Sequence, residues 1–326
     1  MKVTVLDDYQ RAFQGSEAIQ RLRQRADVEI LTEKIPTEQV VVQTLRGVQA
    51  IIPIRERTKF PASLLQALTD LEFISQTGNH AYHVDVEAAT QAGIVVAMAP
   101  GSNSTSELAF GLMLAIMRRI PQSDQAMRRG QWTLVLGHVL RGKTLGILGL
   151  GKIGTEVAAI ARAFGMKVIA WGPTLTPERA GRSAATYMQL EDLLRQADVV
   201  SVHLTLSERS RNLLNETRLR LMKKSAYLVN TARGAIVDET ALVKILREQA
   251  IAGAALDVFV EEPLAANHPL LQLDNVVLTP HVGWPTDAGF KGFAEHSVEN
   301  ILDYMEGKLT RVVNPEALQN RAKRVQ

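Results

Sequence analysis

A few side chains in the second half of the sequence have the types and spacing for acid–base chemistry on a carboxylate-bearing substrate. NTARG (230–234) puts Arg233 at the end of an apolar run, and a guanidinium there can hold a carboxylate by two parallel hydrogen bonds. DVFVEEP (257–263) supplies Asp257, Glu261 and Glu262, and TPHVGW (279–284) supplies His281. A carboxylate beside the imidazole would raise its pKa from about 6.5 and keep it protonated near neutrality. A protonated histidine with a carboxylate-binding arginine suits reduction of a 2-keto acid by hydride from a nicotinamide. Taken singly, each residue has an ordinary alternative: a surface ion pair, a solvated loop acid, a structural histidine. Their convergence carries the expectation.

That convergence depends on the elements before them. Short β-branched runs alternate with helical patterns throughout: VTVLD (3–7), VEIL (28–31), AIIPI (50–54), EFISQ (72–76) and IVVAM (94–98), then, after the break APGSN (99–103), KTLGILGLG (143–151), KVIAW (167–171), DVVSVHL (198–204), AYLVNTA (226–232), IAGAALDVF (251–259) and NVVLTPHV (275–282). The pattern predicts an α/β chain with parallel sheets. Ligands of such sheets bind beyond the carboxyl ends of the strands, where Arg233, Asp257, Glu262 and His281 fall. Helices are expected at FPASLLQAL, VDVEAATQAG, LEDLLRQA, DETALVKILREQA and FAEHSVENILDYMEGK, the last packing back on the first domain. Ser104 and Glu107 have the spacing of a capping box at the head of the apolar helix STSELAFGLMLAIMRRI. RAKRVQ reads as a frayed tail.

GLGKIG (149–154) lies between a strand and a helix in a βαβ unit. Gly149 allows the tight turn, Gly151 lets the backbone approach a pyrophosphate, and Gly154 lets the helix pack close. The helix N-terminus at Lys152 and Ile153 offers free amides and a positive dipole. A glycine turn without a ligand is the plain alternative.

With 326 residues, 46% of them hydrophobic, the chain fits two domains at roughly 150 residues each. Net charge is only +3, which is no nucleic-acid footprint, and there is no cysteine. The start MKVTVLDDYQ reads as a strand, not a signal peptide, and AFGLMLAIM (109–117) is too short to span a bilayer. A cytoplasmic protein without membrane or nucleic-acid partners is the expectation.

The series GLGKIG, HLTL, NTARG, DVFVEEP and TPHVG, with RERT, QTGNHAYHVDVEAA and PGSNSTSELA before it, resembles the D-isomer-specific 2-hydroxyacid dehydrogenases over nearly the whole chain. The resemblance implies two Rossmann-like domains, a flavodoxin-like substrate domain (1–99 plus 286–326) with an inserted NAD(P)-binding domain (100–285), in a homodimer. It implies that Arg233 binds the substrate carboxylate, that His281 exchanges a proton with the carbonyl oxygen, and that Glu262, rather than Glu261, orients and charges the histidine. Asp257, Thr231, Ala232, His203, Thr205 and Gly283 would line the cofactor. Gly78 and Asn79 would meet the substrate carboxylate from the other domain, and Arg55 matches a substrate-contacting position. Thr205 stands where many relatives carry proline. His80 and His83 form an HxxH pair, but the family uses no metal and none is expected. Trp284 would narrow the pocket or cover the nicotinamide. A small pocket around Arg233 suits glyoxylate or hydroxypyruvate, whereas a phosphorylated three-carbon acid needs a further cation, for which Arg55 is the candidate. The alternative is a dinucleotide-sensing interaction protein of the same fold, like the corepressors that keep the same Arg-Glu-His set.

In VIAWGPT (168–174), Gly172 stands where NAD-preferring relatives have aspartate. That loss removes a bond to the ribose hydroxyls and the repulsion of a 2′-phosphate, which a turn with Thr174 could accept. Arg179 and Arg182 lie further on, offset by Glu178. Relaxed cofactor choice between NAD and NADP, leaning to NADP, is expected.

Overall fold

The computed structural model describes residues 1–102 and 104–324. The chain divides into two units, with boundaries between residues 102 and 103 and between 284 and 285. The first unit joins the N-terminal segment to the chain from 285 onward, and the second is the stretch between them.

In the first unit, β1 (Lys2–Leu6), β2 (Asp27–Ile30), β3 (Ala50–Pro53), β4 (Phe73–Thr77) and β5 (Val95–Ala99) form a parallel sheet of order β2-β1-β3-β4-β5. Each lies within a residue of its predicted run. β3 and β4 are buried along their whole length, which is why they read as continuous rather than alternating apolar segments. The strand order reverses between β1 and β3, so the switch point of this sheet is flanked by the residues after those two strands.

The helix Asp287–Met305 packs on β4, β5 and the helix Glu17–Arg23. It starts six residues before the predicted FAEHSVENILDYMEGK because Thr286 caps it, its hydroxyl accepting from Gly289 N at 3.0 Å. The outer edge of β5 is covered by an antiparallel bridge between Ala97 and Val312. Asn314, almost wholly buried, completes the cover: its Oδ1 accepts from Val96 N at 2.7 Å, and its Nδ2 donates to the Ile94 carbonyl at 2.9 Å. The expected frayed tail is instead largely helical, since Ala317–Arg324 forms a helix; Val325 and Gln326 lie outside the described residues.

In the second unit, β6 (Thr144–Leu148), β7 (Lys167–Trp171), β8 (Thr186–Tyr187), β9 (Val199–Val202), β10 (Tyr227–Asn230), β11 (Gly253–Leu256) and β12 (Val276–Leu278) form a parallel sheet. Its order is β8-β7-β6-β9-β10-β11-β12, with the switch point between β6 and β9. The two-residue edge strand β8 has no counterpart in the predicted runs. IAGAALDVF yields only four strand residues, because Asp257 and its successors leave the ladder for a loop.

The helix Thr105–Met117 packs on β10, β11 and the helix Lys152–Ala163. The predicted capping box at its start does not form: Ser104 makes no side-chain cap, and its Oγ donates to the Gly283 carbonyl at 3.0 Å. Thr105 Oγ1 donates to the same carbonyl at 3.0 Å. A carbonyl in the loop after β12 thus claims the hydroxyls at the helix head. Asn103, the last residue of the predicted break, lies outside the described residues. Among the described residues no helix is long and apolar enough to cross a membrane.

Candidate active site

The loop at the switch point of the second sheet is built on three glycines with three different constraints. Gly149 has φ +99°, and a Cβ there would stand 2.7 Å from the His203 carbonyl oxygen, across the gap between β6 and β9. Gly154 lies in the first turn of the helix Lys152–Ala163, where a Cβ would stand 2.1 Å from the Gly149 oxygen. Only Gly151, the N-cap, has nothing within 4 Å of a built Cβ. The first and third glycines are therefore consumed by internal packing, while the second leaves open space before the free amides of Lys152 and Ile153. His203 closes the floor, its Nε2 2.8 Å from Ser201 Oγ. Burial pushes its imidazole down to about 4, so it is neutral. Thr205, next to it, is exposed.

A second indication of a ligand comes from β10. Thr231, directly after the strand, is 7% exposed, yet its Oγ1 is buried without a hydrogen-bond partner among the described residues. Buried hydroxyls are normally satisfied. An orphan at the carboxyl edge of the sheet that carries the open glycine loop fits a dinucleotide that supplies the missing partner.

Asn230 and Gly234 shape the loop that carries Arg233, and the sequence reading overlooked both. The Asn230 side chain accepts from Ala232 N at 3.1 Å and donates to the Arg233 carbonyl at 3.0 Å, closing the turn. A Cβ on Gly234 would stand 2.0 Å from the carbonyl carbon of Phe259, so only glycine lets this loop lie against the loop after β11. Arg233 Nη1 donates to the Ala232 carbonyl at 2.7 Å, leaving the other guanidinium donors available.

The loop after β12 is fixed by Asp257, which is 1% exposed. Its Oδ1 accepts from Thr279 Oγ1 at 2.6 Å and Val282 N at 2.8 Å, and its Oδ2 from Gly283 N at 3.0 Å. Burial pushes this carboxyl up from its ordinary value, against the pull of those donors and of His281. Between the fixed points stands His281 in the left-handed region at φ +54°, a conformation that non-glycine residues keep only where the surroundings enforce it. Its Nδ1 lies 2.7 Å from Glu262 Oε2, while Glu262 Oε1 accepts from Phe259 N at 2.9 Å. Burial opposes ionisation of Glu262, but these bonds and the charges of His281 and Arg233 hold it below the usual carboxylate range. With Nδ1 engaged, Nε2 is the ring nitrogen left for a substrate. Trp284, which ends the loop, is half-buried.

Gly172 follows β7, and a Cβ there would meet nothing closer than Leu175 Cβ at 3.4 Å. A side chain would fit, so the missing acid is not imposed by the fold. The turn closes through Leu175 N to the Gly172 carbonyl at 3.1 Å. Arg179, remote in sequence, is drawn back: its Nη1 donates to the Thr174 carbonyl at 2.8 Å.

In the first unit, Arg55 follows β3 at φ +58° and Gly78 follows β4 at φ +113°. A Cβ on Gly78 would stand 2.2 Å from Arg55 Nη1, so the tip of the guanidinium takes the space that a side chain at 78 would need, with Asn79 exposed. Glu56, also overlooked, lies 3.1 Å from Arg55 Nη2 and 3.0 Å from His80 Nε2. The HxxH pair diverges, since His83 Nε2 faces Gln76 Oε1 at 2.9 Å. Among the described residues no three His, Asp or Glu side chains are grouped to hold a metal ion.

Comparison with known proteins follows the same lines. Residues 110–283 match the model for "D-isomer specific 2-hydroxyacid dehydrogenase, NAD binding domain". A glyoxylate reductase of Aeropyrum pernix is 41% identical over 318 residues, 94% of this chain and 95% of that one. A D-3-phosphoglycerate dehydrogenase of Archaeoglobus fulgidus is 38% identical over 298 residues, 90% of this chain and 56% of its own greater length. The crystal structure of a phosphoglycerate oxidoreductase from Vibrio cholerae superposes with a TM-score of 0.86 at 34% identity, covering 94% of this chain and 99% of that one.

Proposed function

Since the chain belongs to the D-isomer-specific 2-hydroxyacid dehydrogenase family, we propose that it interconverts a small D-2-hydroxy acid and its 2-keto acid, of the glyoxylate, hydroxypyruvate or 3-phosphoglycerate type. It is an oxidoreductase that uses a nicotinamide dinucleotide. The observation that carries the site assignment is the 2.7 Å pair of His281 and Glu262, in a loop next to the one bearing Arg233.

Arg233 binds the substrate carboxylate with its unengaged guanidinium donors and polarises the adjacent keto group. His281 Nε2 delivers a proton to the carbonyl oxygen in reduction and takes it back in oxidation. Glu262, held ionised, fixes the ring through its bond to Nδ1 and leaves Nε2 directed to the substrate. When bound, the nicotinamide supplies or accepts the hydride. Gly149, Gly151, Lys152, Ile153 and Gly154 hold its pyrophosphate, and Thr231, Ala232, His203, Thr205 and Gly283 line it, with Asp257 serving through the loop that it fixes. Trp284, which ends the histidine loop, bounds the pocket.

Cofactor choice is relaxed and leans to NADP, supported by the absence of an acid at Gly172 and by the return of Arg179 to Thr174. The protein acts as a homodimer. Support comes from the segment after the helix Ile120–Arg128, where Trp132, Leu134, Leu136 and Val139, close together in sequence, are each at least 66% exposed, more apolar side chain than a monomer ordinarily leaves to water in one segment.

The test is consumption of reduced cofactor with glyoxylate, hydroxypyruvate and phosphohydroxypyruvate, each with NADH and NADPH. Turnover of at least one acid is expected. Inactivity on all of them alongside tight cofactor binding would sink the reading in favour of a dinucleotide-sensing protein.

A further inference from the structure

We propose that Glu239 is a positioning residue for the proton-transfer pair: by holding the backbone of the loop after β11, it sets where Glu262 meets His281. The inference rests on the dehydrogenase reading above and adds a residue to it. Every group it needs lies in the second unit.

The loop after β11 changes character at Phe259. That side chain is buried in the core of the unit, whereas Val260 is exposed and the chain runs on through Glu261 to Glu262. Two carboxylates claim the two consecutive amides at this point. Glu262 reaches back within the loop, its Oε1 accepting from Phe259 N at 2.9 Å. Glu239 comes from outside the loop, its Oε2 accepting from Val260 N at 3.2 Å. Among the described residues, the bond to Glu239 and the pair of Glu262 with His281 are the hydrogen bonds that tie residues 260–264 to anything beyond the loop.

Glu239 is itself a fixed point. It opens the helix Glu239–Arg247, whose Ala241, Leu242, Val243, Ile245 and Leu246 are buried. Asp238 caps that helix, its Oδ1 accepting from Ala241 N at 3.0 Å, and its own amide donates to the Leu214 carbonyl at 3.1 Å. The other carboxylate oxygen of Glu239 is engaged as well. His268 Nδ1 accepts from Leu270 N at 3.3 Å, which places the ring proton on Nε2, 3.2 Å from Glu239 Oε1. With both oxygens held, the carboxylate has one orientation and Val260 N one place to dock. On its other side the loop backbone lies on Gly234, where a Cβ would stand 2.5 Å from Val260 N. The segment from Arg233 to Glu239 therefore carries the substrate-binding guanidinium at one end and the anchor of the Glu262 loop at the other. Both halves of the chemistry share one frame, and a displacement of about 1 Å in such a frame can cost roughly a hundredfold in rate.

The test measures kcat and KM for the 2-keto acid that the wild type turns over, and the dissociation constant of reduced cofactor, in Glu239→Ala, Glu239→Gln, Glu262→Ala and the double variant Glu239→Ala with Glu262→Ala. Glu239→Ala should lower kcat by roughly tenfold or more, with KM and cofactor affinity nearly constant because Arg233 and the glycine loop are untouched. Glu239→Gln keeps an oxygen for Val260 N and should recover most of the loss. Once Glu262 is gone the anchor has nothing to position, so removing Glu239 as well should cost no more than about threefold further. If Glu239→Ala does not fold, Glu239→Asp, whose carboxylate stops one methylene short of Val260 N, takes its place in each comparison. An undiminished kcat overturns the inference, as does a glutamine variant as slow as the alanine one, or a double variant in which the two losses multiply in full. Inactivity of the wild type on every 2-keto acid is a different result: it removes the dehydrogenase reading, and this inference with it.

Discussion

Asp257 Oδ2 accepts a hydrogen bond from Gly283 N at 3.0 Å, so a buried carboxylate at the end of one strand fixes the histidine loop at the end of the next. Asp257→Ala would leave Thr279 Oγ1, Val282 N and Gly283 N without their acceptor. Each buried donor left unpaired costs about 1–3 kcal/mol. Thermal unfolding should therefore shift down by several degrees, and kcat should fall with it as His281 loses its position. An unchanged melting temperature would show that the loop is held by something else.

His281→Ala should lower kcat by about 10²–10⁴, the usual worth of a positioned general acid, while the dissociation constant of reduced cofactor, read by fluorescence titration, stays nearly constant. Glu262→Gln keeps a hydrogen-bond partner but removes the charge, so its loss should be smaller. Turnover of the alanine variant within a few-fold of the wild type would remove His281 from the proton transfer.

The room around Gly172 allows a direct test of cofactor choice. Gly172→Asp introduces a carboxylate without a backbone clash, the nearest heavy atom to the new Cβ being Leu175 Cβ at 3.4 Å. Its kcat/KM ratio should move toward NADH by roughly tenfold or more, since a charge-assisted hydrogen bond contributes about 1.5–3 kcal/mol. Arg179→Ala should weaken NADPH and leave NADH nearly unaffected. A wild type that already prefers NADH by about a hundredfold would contradict the NADP-leaning reading, because a charged bond of this kind would then be present by other means.

Acid should reveal His83. Burial lowers its pKa from 6.5 to about 4, so between those values the unfolded chain binds a proton that the folded chain refuses. Stability then falls as pH drops from 6.5 toward 4 and levels off below, as far as this group is concerned. The decline in melting temperature between pH 6.5 and 5, where most carboxylates remain ionised, should be shallower in His83→Gln. Parallel curves would mean that His83 titrates normally.

Light scattering on a size-exclusion column should give the mass of a dimer for the wild type. Trp132→Asp with Leu136→Asp places two charges on side chains that are 82% and 85% exposed, so neither disturbs the interior of the unit. The double variant should elute as a monomer with its melting temperature depending less on concentration. A wild type that is monomeric at every concentration would refute the dimer.

Much of this was legible from the residues because strands and glycine turns leave local signatures. The parallel runs were found within a residue in the first unit, and the histidine, its glutamate and the arginine each follow a strand. The parts that were not legible depend on contacts between segments far apart in sequence. Ser104 has the spacing of a cap, yet its hydroxyl goes to Gly283, which no local pattern announces. Asn230 and Gly234 act through the turn they close and the loop they admit. Arg179 looks distant from Gly172 until the short helix Pro177–Arg182 turns it back. Glu56 reads as one charge in RERT, and only the fold brings it to both Arg55 and His80. Motif spacing identifies the groups that do chemistry more readily than those that hold them still.

The cover on β5 bears on how the chain is made. Val312 and Asn314, which seal that strand's edge, and the helix from Asp287 that packs on it are translated roughly 10–40 s after β5, at about 5–20 residues per second. Through that interval the first sheet on the ribosome keeps a bare edge and an uncovered apolar face, while the whole second unit emerges and can fold. Sealing the first unit therefore waits until the whole second unit has been made, and truncated products that stop short of Asn314 should be the species that chaperones and proteases meet.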